Sequence, residues 1–575
     1  MLRLASFSLF PLFPLFLACL AGCGGDEFQP VAEPEDEVAV HNFPGELRIL
    51  APARASFIEQ SFSGRVEVRG EGASAELTIG EQTITPAEDG SFTASISAVR
   101  GLNLLRVVSG EDAVDTPFVY GTFAPATEAV PAAVAVRINE QGFASKDGDE
   151  VSLEVLANRA LEDADLLAAL KGKKLSGSVA GAKWTFDVKS AKYGKTKVDL
   201  GPREGGATFE ARVSDVRVEG KLSVKVFGVG PSGDVSLTAD AAEVGGHIGV
   251  HLKGSALDAT ASEVQTTLKG FQYHSGNAGF PCCVDDIMTG ILRPKIEDAA
   301  QTQVRDALRE SFVFALSQLA LPKTMDLEAA GFPATITIDE AFDGAKFGKD
   351  GAELTAAVRF HHAFAATDPG AQAPGWLKVG KAPGKMSTVP AFGVSISIDA
   401  LNQALFAAWG QNGLERSIDD VPLAGTLHLA PRLPPLVLAD EAGNLHAAAG
   451  EIDITAEIGG SPVHAALTVQ DAVDVHIDAA TSSLVLTPGP EPKISITWLE
   501  DDGLTDEFRQ TVESMAIDLL PSLLGPVELP IPSIPLGAVA KSFGDDVAVL
   551  GSSAKLSIDG DTSRASIEGA LTVVP

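Results

Sequence analysis

Cysteine is almost missing: 575 residues carry 4 of them, at Cys19, Cys23, Cys282 and Cys283. So sparing a chain is no disulfide-stapled scaffold, and its domains must hold themselves by burying apolar cores. Trp and Tyr are equally scarce, 4 and 3 against 28 Phe. Sites that stack sugars or single-stranded nucleic acid depend on such rings, and little is available here to build one. Positive charge is short too: 43 Lys and Arg face 77 Asp and Glu, a net charge of −34. No Lys/Arg cluster in the sequence offsets that field, which excludes nucleic acid and speaks against a polybasic grip on an anionic membrane. Past the first two dozen residues no uncharged apolar run approaches the roughly 18 residues of a membrane-spanning helix.

Signatures of catalysis are missing as well. No G-x-S-x-G elbow and no H-E-x-x-H occurs. His247 and His251 fall on one face of a predicted strand and His361 and His362 are adjacent, but neither pair has the further ligands that zinc requires. Gly228-Val229-Gly230-Pro231-Ser232-Gly233 fits G-x-G-x-x-G, yet a strand pattern follows it where a phosphate cradle needs a helix, so it reads as a hairpin turn. Asp147-Gly148-Asp149 and Asp559-Gly560-Asp561 read as hairpin tips, without the ligand rhythm of a calcium loop. No residue receives a catalytic or metal-binding role, no cofactor is expected, and the chain reads as a non-enzyme.

What is present begins at the front. Met1-Leu2-Arg3 supplies a positive start, Leu4 to Leu20 is uncharged and apolar but interrupted by Pro11 and Pro14, and Leu20-Ala21-Gly22-Cys23 closes the segment. This order resembles bacterial lipoprotein precursors. The resemblance implies a signal peptide over 1–22 and a mature chain that starts at a lipidated Cys23 (palmitate among its acyl groups). It also implies a place in the cell envelope, with Gly24 rather than Asp after the cysteine leaning toward the outer membrane. Residues 23–46 are polar and acidic, a tether that like charges keep extended.

At 45% hydrophobic residues the remainder is globular. Over 47–124, short alternating segments (Val66 and Val68; Leu77 and Ile79; Phe92, Ala94 and Ile96) separated by Gly/Asp turns predict an all-β sandwich. Glu88-Asp89-Gly90-Ser91-Phe92 followed by Gly101-Leu102-Asn103-Leu104 resembles bacterial Ig-like domains, which implies a spacer. A linker over 125–130 follows.

Beyond it the pattern predicts two halves, 130–325 and 330–575, each a short helix, a meander of strands and a long helix. The helices are expected near 158–171, from Val284 through Leu319 with a kink or restart at Pro294, at about 399–412, and over Leu504 to Leu523. Three strings carry a second resemblance: Arg293-Pro294-Lys295-Ile296-Glu297 at a helix start, Val394 to Asn402 leading into a short helix, and Leu529-Pro530-Ile531-Pro532 before the closing strands. In this order they are similar to the tubular lipid-binding superfamily typified by bactericidal/permeability-increasing protein. The resemblance implies a multidomain α+β fold in which curved antiparallel sheets wrap long helices and bind lipid in an apolar groove. The groove residues it points to are Val304, Leu308, Phe312, Leu405, Phe406, Trp409, Met515 and Leu519, although each, read singly, is first a core filler.

The chain departs from that family at Cys282-Cys283, an adjacent pair with no distant partner. Neighbouring Cα atoms stand about 3.8 Å apart, below the usual disulfide span of about 4.4–6.8 Å, so a strained vicinal bridge and two free thiols both remain open. The function expected is an exported, lipid-anchored protein that holds or hands on a lipid or another apolar molecule. The alternative is a surface adhesion or scaffold lipoprotein with no ligand.

Overall fold

The computed structural model describes residues 40–41, 47–73, 75–144, 150–276, 284–317, 323–326, 335–380, 391–421, 425–458, 461–478, 483–488, 493–500, 509, 527–530, 533–535, 547–550 and 555–574. The expected leader, Cys23, most of the acidic tether, Cys282, Cys283, Met515 and Leu519 lie outside these residues, as does all but Arg509 of the helix expected over 504–523. The chain is mostly β, with several sheets and few helices.

In the front unit, Arg65–Glu71 alternates outward charge with inward Val66 and Val68, the period-2 pattern of a half-buried strand. It lies between Arg48–Ala51 and Phe92–Ser97 in a three-stranded sheet. Facing it is a second sheet on the hairpin Gly101–Ser109 and Asp112–Ala124, extended by Leu77–Ile79 and Gln82–Ile84. Val68, Leu77, Phe92, Val107, Phe118 and Tyr120 fill the space between. One strand of the second sheet comes from far away: Trp376–Lys378 pairs antiparallel with Thr122 to Ala124.

The next sheet is seven-stranded and built on two very long strands, Gly206–Val226 and Ser232–Lys253, of 21 and 22 residues. Bulges bend it. The register slips between Gly245 and His247, opposite Glu263 (φ 56°, in the left-handed region), and again between Val188 and Ser190, and each slip increases local twist. The helix Leu153–Asp163 starts earlier than the 158–171 expected, because the Ser152 hydroxyl accepts the Val155 N–H and caps it there. The long helix runs Arg293–Ser317. Pro294 has no N–H to give, and the preceding turn Met288–Leu292 opens into π-helix, so the predicted restart is a widened turn.

A third sheet, also seven-stranded, takes strands from both sides of the predicted 325/330 boundary. Val130–Asn139 sits between Gly351–His361 and Phe392–Ser397, and Arg564–Gly569 from near the C-terminus lies next. A nine-stranded sheet follows, centred on Leu445–Ile458 and Ser461–Asp478, and a small four-stranded sheet joins Glu150–Val151 to Leu571–Val574.

Candidate functional site

The two helices of the first half lie along opposite edges of the long-stranded sheet, and polar side chains fasten them there. On the edge strand Thr196–Arg203, Asn158 Oδ1 accepts the Val198 N–H (2.7 Å), Asn158 Nδ2 donates to Val198 O (3.1 Å), and Glu154 Oε2 accepts the Leu200 N–H (3.1 Å). On the edge strand Ala256–Lys269, Glu297 Oε1 accepts the Leu268 N–H (3.0 Å) and Gln301 Nε2 donates to Val264 O (2.9 Å), while Arg293 Nε bonds the same Glu297 oxygen (3.0 Å). Arg293, Glu297 and Gln301 are spaced i, i+4, i+8, one line along the helix. The helices also pack against each other. The sheet is therefore rolled, with its edges joined by a two-helix seam. The long helix is part of that wall, with Lys295, Asp298 and Glu310 exposed and Ile296, Val304, Leu308 and Phe312 turned inward.

The interior is an almost wholly apolar core, with the Trp184 indole N–H as a buried donor without a partner. Among the described residues 153–317, no residue with a charged, hydroxyl, amide or imidazole side chain is buried, whereas Trp184, Phe186, Phe209, Val218, Leu222 and Leu237 are. Such an interior offers dispersion and exclusion of water and nothing to move a proton.

The residues singled out in the sequence fall into two groups. Val304, Leu308 and Phe312 lie in this interior, fully buried, with the Phe312 ring centroid 6.2 Å from that of Phe143. Leu405, Phe406 and Trp409 lie on the helix Ile398–Gly410, every residue of which is buried. That helix sits at a junction, in contact with the shared sheet, with Trp376–Lys378 and with Leu436–Ala439. The Trp409 ring packs at a tilt against Phe406 (centroids 5.6 Å apart), and its Nε1 donates to Pro431 O (2.8 Å). The two groups belong to one continuous core.

Three polar residues of the junction helix carry roles that hydrophobic patterning cannot find. Asp399 Oδ1 accepts the N–H groups of Val379 (2.6 Å) and Gly380 (2.8 Å). Burial pushes its carboxyl above the ordinary value, partly offset by those two bonds. Asn402 pairs with both backbone groups of Val437 (2.8 and 3.0 Å), and Gln403 bonds Phe360 N and Glu128 O (2.9 and 2.6 Å). The available signal was Asp399, Asn402 and Gln403 inside an otherwise apolar helix, the mark of side chains buried with partners.

Arg564, also buried, crosses three adjacent strands. It donates to the carbonyls of Ala132 (2.8 Å), Ala133 (3.3 Å) and Ser395 (3.2 Å) and to Ser395 Oγ (3.1 Å). Desolvation lowers its guanidinium to about 10. Among the described residues no group of three or more His, Cys, Asp and Glu side chains is placed to hold a metal ion. His251 and His361 instead lie near Asp258 and Asp339, at 3.9 and 3.0 Å.

No family model matches the chain, and no curated protein matches it at a significant level. Among solved structures it is similar to a lipopolysaccharide binding protein, at 15% identity over 77% of this chain and 99% of that one, with a TM-score of 0.38. It is also similar to P47 of Clostridium botulinum E1 (8% identity, 77% and 99% covered, TM-score 0.27) and to P47 from Clostridium botulinum A2 (10%, 76% and 96%, 0.26). Overlaps this loose fix no function, and the geometry of the chain has to carry the reading.

Proposed function

We infer that this is an exported protein, lipid-anchored at Cys23, whose rolled sheets form a tubular module that binds a lipid or another apolar molecule and passes it on. The observation that carries the reading is the first interior: a rolled sheet, sealed along its seam by two helices, with no buried charged, hydroxyl, amide or imidazole side chain among the described residues 153–317. Only an apolar guest suits such a space. Each methylene transferred into it contributes about 0.8 kcal/mol, so an acyl chain of about a dozen carbons gains roughly 10 kcal/mol with no polar anchor. The seam is the entry. Side-chain bonds hold the helices to the sheet edges, and these open at less cost than the continuous backbone ladder of the strands.

The test is mass spectrometry under native conditions on the mature chain, residues 23–575 with Cys23→Ser, purified without added lipid. The expected result is a bound species of lipid mass that organic solvent releases, in near one-to-one ratio. A chain that flies as bare polypeptide, and that takes up no fluorescent acyl probe on titration, refutes the reading. The anchor is tested separately: labelled palmitate should enter the full chain and be lost in Cys23→Ser.

A further inference from the structure

The contact between the front unit and the nine-stranded sheet is apolar on one side and charged on the other. Leu102 and Val119 of the front unit share a core with Leu433, Leu436, Leu445 and Ala448, and a Cβ at Gly450 would stand 2.6 Å from Leu102. Beside that core each unit contributes one carboxylate and one donor to the other. Arg54 Nε of the front unit donates to Glu451 Oε1 of the sheet. Ser495 Oγ of the sheet donates to Asp115 Oδ2 of the front unit (3.1 Å). Arg54 Nη1 also donates to Asp115 O (2.9 Å), so the two crossings form one network.

Both acids stand where folding alone disfavours one. Glu451 is 0% exposed and Asp115 1%, and a buried ion pair is commonly no more stable than apolar residues of the same volume. Glu451 also lies in the left-handed region (φ 55°), where the register slips between Ala449 and Ile452, a conformation that costs a residue with a side chain. Each acid keeps one oxygen, Glu451 Oε2 and Asp115 Oδ1, buried with no hydrogen-bond partner among the described residues. Such an oxygen is a place for a proton, since protonation there breaks no hydrogen bond and removes a buried charge. Burial accordingly pushes both carboxyls above their ordinary values. Arg106, Ser495 and Arg54 pull Asp115 part of the way back. Arg54 and Arg432 do the same for Glu451, while Asp453 pushes it further. Asp453 is itself paired with Arg432 and lies 3.4 Å from His464 Nε2. These three belong to the sheet and keep their places whether or not the front unit is seated.

We propose that Asp115 and Glu451 form a proton-operated clamp, which seats the front unit more firmly on the nine-stranded sheet in acid and eases it toward neutrality. A carboxyl that holds its proton more tightly in the seated state than in the parted one favours seating wherever it is protonated. That contribution is complete below the ordinary values of 3.8 and 4.5 and is lost as pH rises through the raised ones. The clamp needs neither an occupied interior nor a lipid anchor. The test is hydrogen exchange read by mass spectrometry on the mature chain (residues 23–575, Cys23→Ser), corrected for the intrinsic rate at each pH. Asp399, a further buried acid bonded to Val379 beside this contact, is taken out of the comparison by carrying Asp399→Asn throughout. Peptides covering Trp376–Lys378 and Thr122 to Ala124, whose backbone pairing joins the front unit to the rest, report the parting, and a peptide around Leu237 in the rolled sheet is the reference. Relative to that reference, the open population should fall by about tenfold or more from about pH 7 to about pH 4. Asp115→Asn with Glu451→Gln, which keep the shape and one oxygen acceptor each without titrating, should flatten the dependence, and each single variant should remove part of it. A contact that opens equally at both pH values, or more readily in acid, overturns the proposal. A dependence that survives in the double variant overturns it as well.

Discussion

At the scale of single residues, the buried polar groups of this chain serve backbone rather than chemistry. Asp399 is the clearest case, one carboxylate oxygen accepting two N–H groups of a neighbouring segment. Asp399→Ala should cost about 2–3 kcal/mol, since two enclosed donors lose their acceptor, whereas Asp399→Asn keeps an acceptor and drops a buried charge, and should lie within about 1 kcal/mol of the parent. The pH dependence has a definite sign. A carboxyl whose folded-state affinity for a proton is raised binds that proton more tightly folded than unfolded. Its contribution to stability therefore declines as pH rises from the ordinary value of 3.8 through the raised one, and is level above it. Urea melts of the chain and of Asp399→Asn across that window should show the decline in the former and its absence in the latter. The sequence placed Asp399, Asn402 and Leu405 on one helix correctly, but it gave no means of telling that Asn402 and Gln403 face other strands, because those strands are distant along the chain.

At the scale of elements, the seam decides the architecture. A strand edge with free N–H and C=O groups is unstable unless covered, and here both edges are covered by helices that bond to them through Asn158, Glu154, Glu297 and Gln301. Asn158→Ala should cost about 1–3 kcal/mol by leaving both backbone groups of Val198 unpartnered, and hydrogen exchange should show the Val198 amide opening faster while the Leu237 amide, mid-sheet, stays protected. Gln301→Ala should cost less, about 1 kcal/mol, as it frees one carbonyl that water can reach. The long helix was legible from its 3–4 spacing. Its place in the wall was not, because Glu297 and Gln301 carry the polarity of a solvent-facing side and only the neighbouring edge gives them a partner.

At the scale of the whole molecule, the front unit is docked where a spacer was expected. Its sheet takes up Trp376–Lys378. Gly101, at φ 105°, lies so close to Leu438 that a Cβ there would stand 2.5 Å from it. Leu102 and Val119 share a core with Leu377, Ile398, Leu433 and Leu436. A polar link runs beside this contact: Arg54 of the front unit is paired with the fully buried Glu451 and donates to Asp115 O (2.9 Å), while Ser495 donates to Asp115 Oδ2 (3.1 Å). Burial pushes the Glu451 carboxyl up, and Arg54 pulls it back. Arg54→Ala should therefore cost about 3 kcal/mol by stranding that carboxylate, and Arg54→Met with Glu451→Leu should restore most of the loss. Denaturant melts that showed the double variant no better than Arg54→Ala would place the stabilisation elsewhere.

The sequence by itself determined what depends on near neighbours. The period-2 runs gave the strands, the 3–4 spacing gave the long helix and the one at 398–410, and the glycine string at 228–233 was a hairpin turn, since burial pattern and turn chemistry are written within a few residues. Only the tertiary structure decided which strands meet. Val130–Asn139, at the start of the predicted first half, lies at the heart of a sheet whose two strands paired with it, Gly351–His361 and Phe392–Ser397, lie more than two hundred residues on, in the predicted second half. Lys183 and Lys225, forty-two positions apart, become a charged pair only once their strands are in register. Pairing energy comes from partners that a local window does not contain, so composition fixed the overall charge and folding fixed where its sign reverses.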